Sequence, residues 1–527
     1  MRKYILLFLF ALPLFLSAQT KQPALKPYLK DDVKDAKKEA DDMFKSQGFN
    51  QAIKIYERLI ITDPNNAEYN YKLGLCYLNT NINKAKAIPM LEYAANANTK
   101  DKPKDVLFDL ARAYHYAGLY DKAIEYFEKY RVEKKGSVDA KLKFNDWVDW
   151  STSAKTLTAN PVNVKFENLG KTINSPSADY RPVMGVSDTI IYFASKRKGN
   201  TGGLTDDLGD VTSDVYFFLQ NDTSRSKAKN AGVNLNTAFY EEAMYINPYG
   251  DKMLLYRESP ESNGDIYIAQ LKGKQWDKPV SLGKDFITKT METGACMSPD
   301  GLTLYFSAEM AGSKTGKDIY KCTRTESTGW SKPTRLGDKI NSNGDEDNPY
   351  MWIDGKTFFF SSTGHGSMGG YDLFKSVLAS SNEDFSTPEN LGFPINSAYD
   401  DIGFALEPDG KTFYVSAVRD SGLGDYDIYK ATTDKPLTSN PMVWIQGVAM
   451  TSARTPAKGA FVVVTNATTG DKIANCESND ATGHFDIAVP AGSYKVTLRH
   501  AKLGKADADI TVDPTIANKV YLEIKFQ

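Results

Sequence analysis

The sequence predicts a multidomain chain: an all-α solenoid of helical repeats over residues 31–156, an all-β propeller over 160–437, and a small β-sandwich over 440–527. Three observations carry this reading. Small residues recur at one spacing through the first part. Five Asp-centred strand segments recur every 51 to 55 residues through the middle. The last part alternates strand-length runs with Gly and Asn turns. A chain of 527 residues also exceeds one hydrophobic core and accommodates about three.

In the helical part, Ala40 and Ala52 are 12 residues apart, as are Ala111 and Ala123, and each pair is followed four residues on by Tyr56 or Phe127. Small residues at fixed spacing let two helices approach closely, and the ring fills the gap beside them. Pro64 ends its helix, because proline lacks the N–H that a continuing helix needs. A middle copy carries Leu73, Gly74, Tyr77 and Ala87 but is irregular, with Pro89 inside its expected second helix. Residues 137–156, with Trp147 and Trp150, read as a closing helix. These residues resemble the tetratricopeptide (TPR) repeat, which implies a concave groove for docking another protein.

The strongest pattern lies in the middle part. Asp214, Asp265, Asp318, Asp372 and Asp427 each precede an apolar residue and then Tyr or Phe, at separations of 51, 53, 54 and 55. A turn and an alternating strand come before each. Examples are Ser298-Pro299-Asp300-Gly301, Asp354-Gly355 and Pro408-Asp409-Gly410, with Asn247-Pro248-Tyr249-Gly250 and Ser187-Asp188 as weaker equivalents. Glycine accepts the positive φ of such tight turns. Pro279 to Gly283, Pro333 to Gly337 and Pro388 to Gly392 each end in Leu-Gly. Four short strands per repeat of about 50 residues make a propeller blade. Five blades are expected, with six the alternative because residues 196–236 are poorly patterned. Asn163 to Gly170 reads as a strand that completes the last blade and closes the ring. The motifs resemble the WD-like, Pro-Asp-type repeats of TolB propellers.

The final part opens a strand at Trp444 to Met450. It continues through Gly459-Ala460-Phe461-Val462, Asn466 to Gly470, Asp480 to Phe485 and Pro490-Ala491-Gly492-Ser493-Tyr494. Seven strands are expected, with the Tyr494 ring buried between two sheets. Gly447-Val448, Gly459-Ala460, Gly483 with Phe485, and Pro490 with Gly492 and Tyr494 resemble the carboxypeptidase regulatory-like domain. That resemblance implies a transthyretin-like sandwich without peptidase chemistry, and His484 and His500 are expected at the surface.

Ahead of these modules, Arg2 and Lys3 precede the apolar run Tyr4 to Leu16, and Ser17-Ala18-Gln19 offers a cleavage site. Residues 1–18 are therefore read as a secretory signal peptide and 19–30 as a linker. No Cys follows the run, so a lipid anchor is not expected, and no further stretch is long enough to span a membrane.

Composition narrows the function. The net charge of −2 and the absence of a basic stripe exclude phosphate-backbone binding. Aromatic residues make up 12%, with 30 Tyr and 26 Phe, which suits a large β portion. The four cysteines Cys76, Cys296, Cys322 and Cys476 form no C-x-x-C pair and are expected as buried thiols. The repeated Asp is expected to cap turns. Asp400 and Asp401, or Asp345 to Asp347, are weak candidates for a loop cation, and nothing fixes six oxygens around one. His365-Gly366-Ser367-Met368-Gly369 imitates a nucleophile elbow, but His365 replaces the first Gly and the stretch joins two strands. No catalytic, cofactor or metal residue is therefore expected, and the chain is read as a non-enzyme.

The order of modules resembles the PorE-like accessory proteins of the type IX secretion system of Bacteroidota. It implies a periplasmic, outer-membrane-associated scaffold that docks outer-membrane or secretion-system proteins, with no nucleic acid. Those proteins carry an OmpA-like peptidoglycan-binding domain. None follows the sandwich here, so peptidoglycan binding is not expected. The alternative is a glycan- or peptide-binding envelope protein that uses the propeller face.

Overall fold

The computed structural model describes residues 25–527 apart from 82, 99, 101, 186–189, 207–208, 220–226, 249, 261, 274, 283–289, 311–312, 314–315, 326–328, 380–383, 440–441, 479–481 and 514–518. The signal sequence read at 1–18, the linker as far as 24, Ser187-Asp188, Tyr249, Gly283 and Asp480 lie outside the described residues.

Seven α-helices occur among the described residues: α1 (Val33–Lys45), α2 (Phe49–Thr62), α3 (Ala67–Leu78), α4 (Ala87–Ala95), α5 (Val106–Tyr116), α6 (Tyr120–Glu133) and α7 (Phe144–Ala159). The repeat alanines Ala40, Ala52, Ala111 and Ala123 are fully buried, as are Tyr56 and Phe127. Gly74 of α3 serves the same close approach, because a Cβ there would lie 2.7 Å from Leu91 of α4. The Asn66 side chain caps α3 by accepting from Tyr69 N at 3.1 Å. The irregular middle copy has a simple cause. A 3₁₀ turn over Lys84–Lys86 delays α4, so Pro89 falls in its first turn, where no N–H is required. Residues 25–30 are not a free linker. Tyr28 N donates to Thr62 Oγ1 at 2.9 Å, and the Arg58 guanidinium stacks 3.7 Å over the Tyr28 ring.

Residues 164–433 form a β-propeller. Among the described residues it has five antiparallel sheets, whose first strands are Asp179–Met184, Glu241–Ile246, Glu292–Met297, Glu346–Met351 and Ile402–Leu406. These strands adjoin in that order around one axis, and the last adjoins the first. Hydrogen bonds close the ring as well: Val164–Asn168 pairs antiparallel with Asp427–Thr433, so a strand from the start of the region completes the last sheet. Such closure leaves few free strand edges.

Residues 442–527 form two sheets, of three and four strands among the described residues, around one shared core. Tyr494 is buried in that core, and its hydroxyl donates to Pro490 O at 2.9 Å. Gly447 leaves room for the Phe485 ring, which a Cβ would overlap.

The flanking units hold opposite faces of the propeller. Helical residues meet the loops between second and third strands: Trp150 Nε1 donates to Thr363 O at 2.8 Å, and Asn81 Nδ2 donates to Asp425 Oδ1. The Tyr116 and Tyr399 rings lie 5.2 Å apart. The last unit instead packs Met442 and Ala488 against Trp352 and Phe413, beside the turns between first and second strands. In an antiparallel sheet these two sets of connections lie at opposite ends.

Candidate functional site

The docking of helices on the propeller encloses a cleft of about 950 Å³. The turns after α1 and α3 and the start of α2 form one wall, with Gln47, Asn50, Asn81 and Asn83. Propeller loops and the start of the strand Asp179–Met184 form the other, with Tyr180, Lys196, Asp210, Tyr399, Arg419, Asp420, Asp425 and Tyr426. Both cations of this lining are engaged. Lys196 pairs with Asp206 at 3.5 Å. Arg419 donates to Pro394 O at 2.8 Å, stacks 3.8 Å over Phe166, and lies 3.8 Å from Asp401. Burial raises the Asp425 carboxyl above its usual range, against the Asn81 bond and the nearby Lys84 charge. Lys84 sits at the junction between Tyr116 and Tyr399, donates to Leu78 O at 2.7 Å, and is pushed down to about 8, chiefly by burial. His115 is fully buried at the same junction. It bonds Ser151 Oγ through Nδ1 at 2.9 Å, and burial pushes it down to about 3.

Beside the cleft, a recess of about 240 Å³ opens at the mouth of the propeller channel, lined by Tyr180, Tyr240, Tyr256, Glu258 and Lys317 among others. Arg181 spans its base. Nη1 donates to Glu242 Oε2 at 2.8 Å and to Thr293 O at 2.6 Å, and Nη2 lies 4.0 Å from Asp347 Oδ2. One guanidinium thus ties the first sheet to the second, third and fourth. Asp347 also accepts from Thr293 Oγ1 at 2.9 Å, Ser307 Oγ at 2.7 Å and Lys317 Nζ at 3.2 Å. Burial would raise its carboxyl, but Lys317, Arg181 and the hydrogen bonds from Ser307 and Asn348 N together hold it below its usual range. Glu242 and Asp347 are therefore committed to ion pairs with Arg181 and Lys317, an arrangement that braces neighbouring sheets.

The repeated aspartates are distributed one per sheet. Asp214 Oδ2 accepts from Thr201 N at 2.8 Å, Asp372 Oδ2 from Met368 N at 2.9 Å, and Asp427 Oδ2 from Leu423 N at 2.7 Å. Each also holds the outer strand of its sheet, through Asn230, Asn390 and Asn168 respectively. Asp318 does so through Arg335 at 2.8 Å. The loop acids are likewise spent locally: Asp400 Oδ1 accepts from Tyr371 N at 2.8 Å, Asp401 Oδ2 from Ser397 N at 2.6 Å, and Asp345 Oδ1 from Lys317 N at 3.0 Å. No group of three or more potential metal ligands occurs among the described residues. Ser367 is buried and donates to Ser362 O at 2.6 Å, while His365 Nε2 contacts Ile340 O at 2.8 Å, so the two are not a nucleophile–base pair. His484 is exposed, and His500 Nδ1 accepts from Lys502 N and Leu503 N at 3.1 Å.

Two features escaped the sequence reading. One is a second repeated motif. Asn174, Asn236, Asn341 and Asn396 each accept, through Oδ1, a backbone N–H of the preceding sheet: Ile428, Val215, Ile319 and Leu373. The next residue is Ser or Thr, whose N–H donates to an acid four positions on: Asp179, Glu241, Glu346 and Asp401. The signal was present as Asn-Ser/Thr followed by Asp or Glu at that offset. The other is Arg181, which occupies a bulge at φ 53°, as do Asn348 and Gly403 at φ 51° and 68°. Nothing local marked it.

Residues 37–85 and 81–138 match the family model of the tetratricopeptide repeat. No curated protein matches the chain. Among solved structures, the chain is similar to the putative TolB from Agrobacterium tumefaciens, at 13% identity over 62% of this chain and 98% of that one, with a TM-score of 0.31. It is similar to TolB from Acinetobacter baumannii at 14% identity over 57% and 72%, with a TM-score of 0.32. It is also similar to an α-L-arabinofuranosidase from Lactobacillus brevis at 12% identity over 51% and 94%, with a TM-score of 0.32. Likenesses of this degree assign no function.

Proposed function

We propose that the chain is a non-catalytic scaffold of the cell envelope that docks several proteins at once. In this reading each propeller sheet is one of five blades, and residues 442–527 are a sandwich of the carboxypeptidase regulatory-like type. The whole is a PorE-like accessory protein of type IX secretion or gliding machinery, periplasmic and associated with the outer membrane. One observation carries the docking role. The helical repeats are held to the propeller by their turns and α7, while the face shared by α1 and α3 stays open, with Lys37, Glu68 and Lys72 linked across it at 2.8 to 3.1 Å. Binding surfaces held rigidly on one chain raise the effective concentration of tethered partners.

Cross-linking of the tagged full chain in its native envelope, followed by mass spectrometry, tests this. A small, reproducible set of envelope proteins is expected; capture no greater than from an untagged strain refutes the scaffold. A second reading, glycan or peptide binding at the propeller face, draws on the tyrosine-lined channel recess. It is tested by titrating the full chain with cell-wall oligosaccharides.

A further inference from the structure

We propose that the cleft between the helical turns and the propeller loops receives an extended segment of a partner protein and selects it through a Lys or Arg side chain, an inference that rests on the docking role above. The volume of about 950 Å³ lies at the upper end of ordinary ligand clefts, about 300–1,000 Å³. The two walls come from different modules, so only the docked arrangement creates it. The exposed amides of Gln47, Asn50 and Asn83 each offer a donor and an acceptor, the complement of a peptide backbone.

Charge identifies the side chain. Lys196 and Arg419 are already paired with Asp206 and Asp401. Asp210 and Asp420 are exposed and have no ion pair among the described residues, and Asp425 accepts from the Asn81 amide and feels Lys84 and Lys196 only at longer range. The lining thus holds uncompensated negative charge facing a cavity walled by protein, where a cation gains more than it would on an open surface. A phosphate-bearing ligand would be repelled, and a neutral glycan could donate hydroxyls to the unpaired carboxylates but would leave their charge uncompensated.

The test uses the full chain and three labelled probes, read by fluorescence anisotropy. These are a Gly/Ser nonapeptide carrying three lysines, the same peptide with three glutamates, and a neutral chitotetraose. The lysine peptide is expected to bind, and the Asp210→Asn/Asp420→Asn variant to bind it about tenfold more weakly with an unchanged melting temperature, since both residues are exposed. Absence of lysine-peptide binding, equal binding by the variant, or binding of the glutamate peptide or chitotetraose at matching affinity would overturn the proposal. Repeating the envelope cross-linking with the variant separates the two claims. Undiminished capture by the variant refutes the cleft and leaves the scaffold standing, whereas no capture by the wild type refutes the scaffold itself.

Discussion

Replacing Arg181 with Met should unfold the propeller at a markedly lower temperature. The side chain is 13% exposed and reaches Glu242 at 2.8 Å, the Thr293 carbonyl at 2.6 Å and Asp347 at 4.0 Å. Its removal leaves Glu242 with the Tyr180 hydroxyl at 2.5 Å and strips the Thr293 carbonyl of this donor. Breaking one side of a buried pair costs about 3–5 kcal/mol. Each kcal/mol lowers the melting temperature of a domain of this size by about 2–4 °C, so a fall of about 10 °C is expected. Calorimetry of the full chain measures it, with Arg58→Met, at the Tyr28 stack, as the control costing under about 1 kcal/mol. Arg181→Met/Glu242→Gln should recover part of the loss, because the stranded charge is gone. A single-variant loss under about 1 kcal/mol, or a double-variant loss equal to the sum of the two singles, would refute the brace.

Three further outcomes are expected. Glu241, Glu346 and Asp401 are each pushed up to about 7, chiefly by burial. Free carboxyls titrate near 4. Between about pH 4 and 7 the folded state therefore keeps protons that the unfolded chain has released, and stability falls with rising pH by up to about 1.4 kcal/mol per pH unit per proton. His115, held neutral in the folded state and pushed down to about 3, contributes the opposite slope below about pH 6.5, but one group is outweighed by three. The urea midpoint should therefore be higher at pH 5 than at pH 8, and Glu346→Gln should flatten the slope; a midpoint that rises over this range contradicts the assignment. The thiols of Cys76, Cys296 and Cys322 are pushed up to about 12 by burial, and that of Cys476 is raised as well. A thiol-reactive dye should label fewer than one cysteine in the native chain and four after denaturation. Finally, a Cβ at Gly369 would lie 2.5 Å from His115 Nε2 and 2.8 Å from Ala398 O. Gly369→Ala should weaken helix–propeller docking by about 1–3 kcal/mol, seen as faster proteolysis near residues 159–163 and a larger radius in solution scattering.

Much of the fold was legible because its signals are periodic and local. Ala40, Ala52, Ala111 and Ala123 mark helix approach, and all four are buried. The Asp-centred segments mark the third strand of each sheet, and the strand at Val164–Asn168 lies where the unmatched Leu-Gly pattern requires. Cys296 and Cys322 are held apart by the intervening strand Thr303–Ala308, as two strands of one hairpin-connected sheet must be. Less was legible of the site. The second strand motif, Asn with Ser/Thr and a following acid, was visible in principle. Its meaning lies in bonds to the preceding sheet, and Asn174 finds Ile428 only 254 residues away.

What the sequence determined by itself was the alphabet of elements: helix pairs where small residues repeat, four-stranded units where Asp and Gly turns repeat, and a final run of short strands. Helical and strand periodicity arise from each residue's neighbours, so the chain's order suffices to reveal them. The tertiary structure alone decided which faces meet. Trp150, placed by periodicity in a closing helix, spends its indole N–H on Thr363 of the propeller, and Arg181 braces four sheets from a bulge with no pattern of its own. The cleft exists for the same reason: its walls lie more than ninety residues apart, and only packing brings them together.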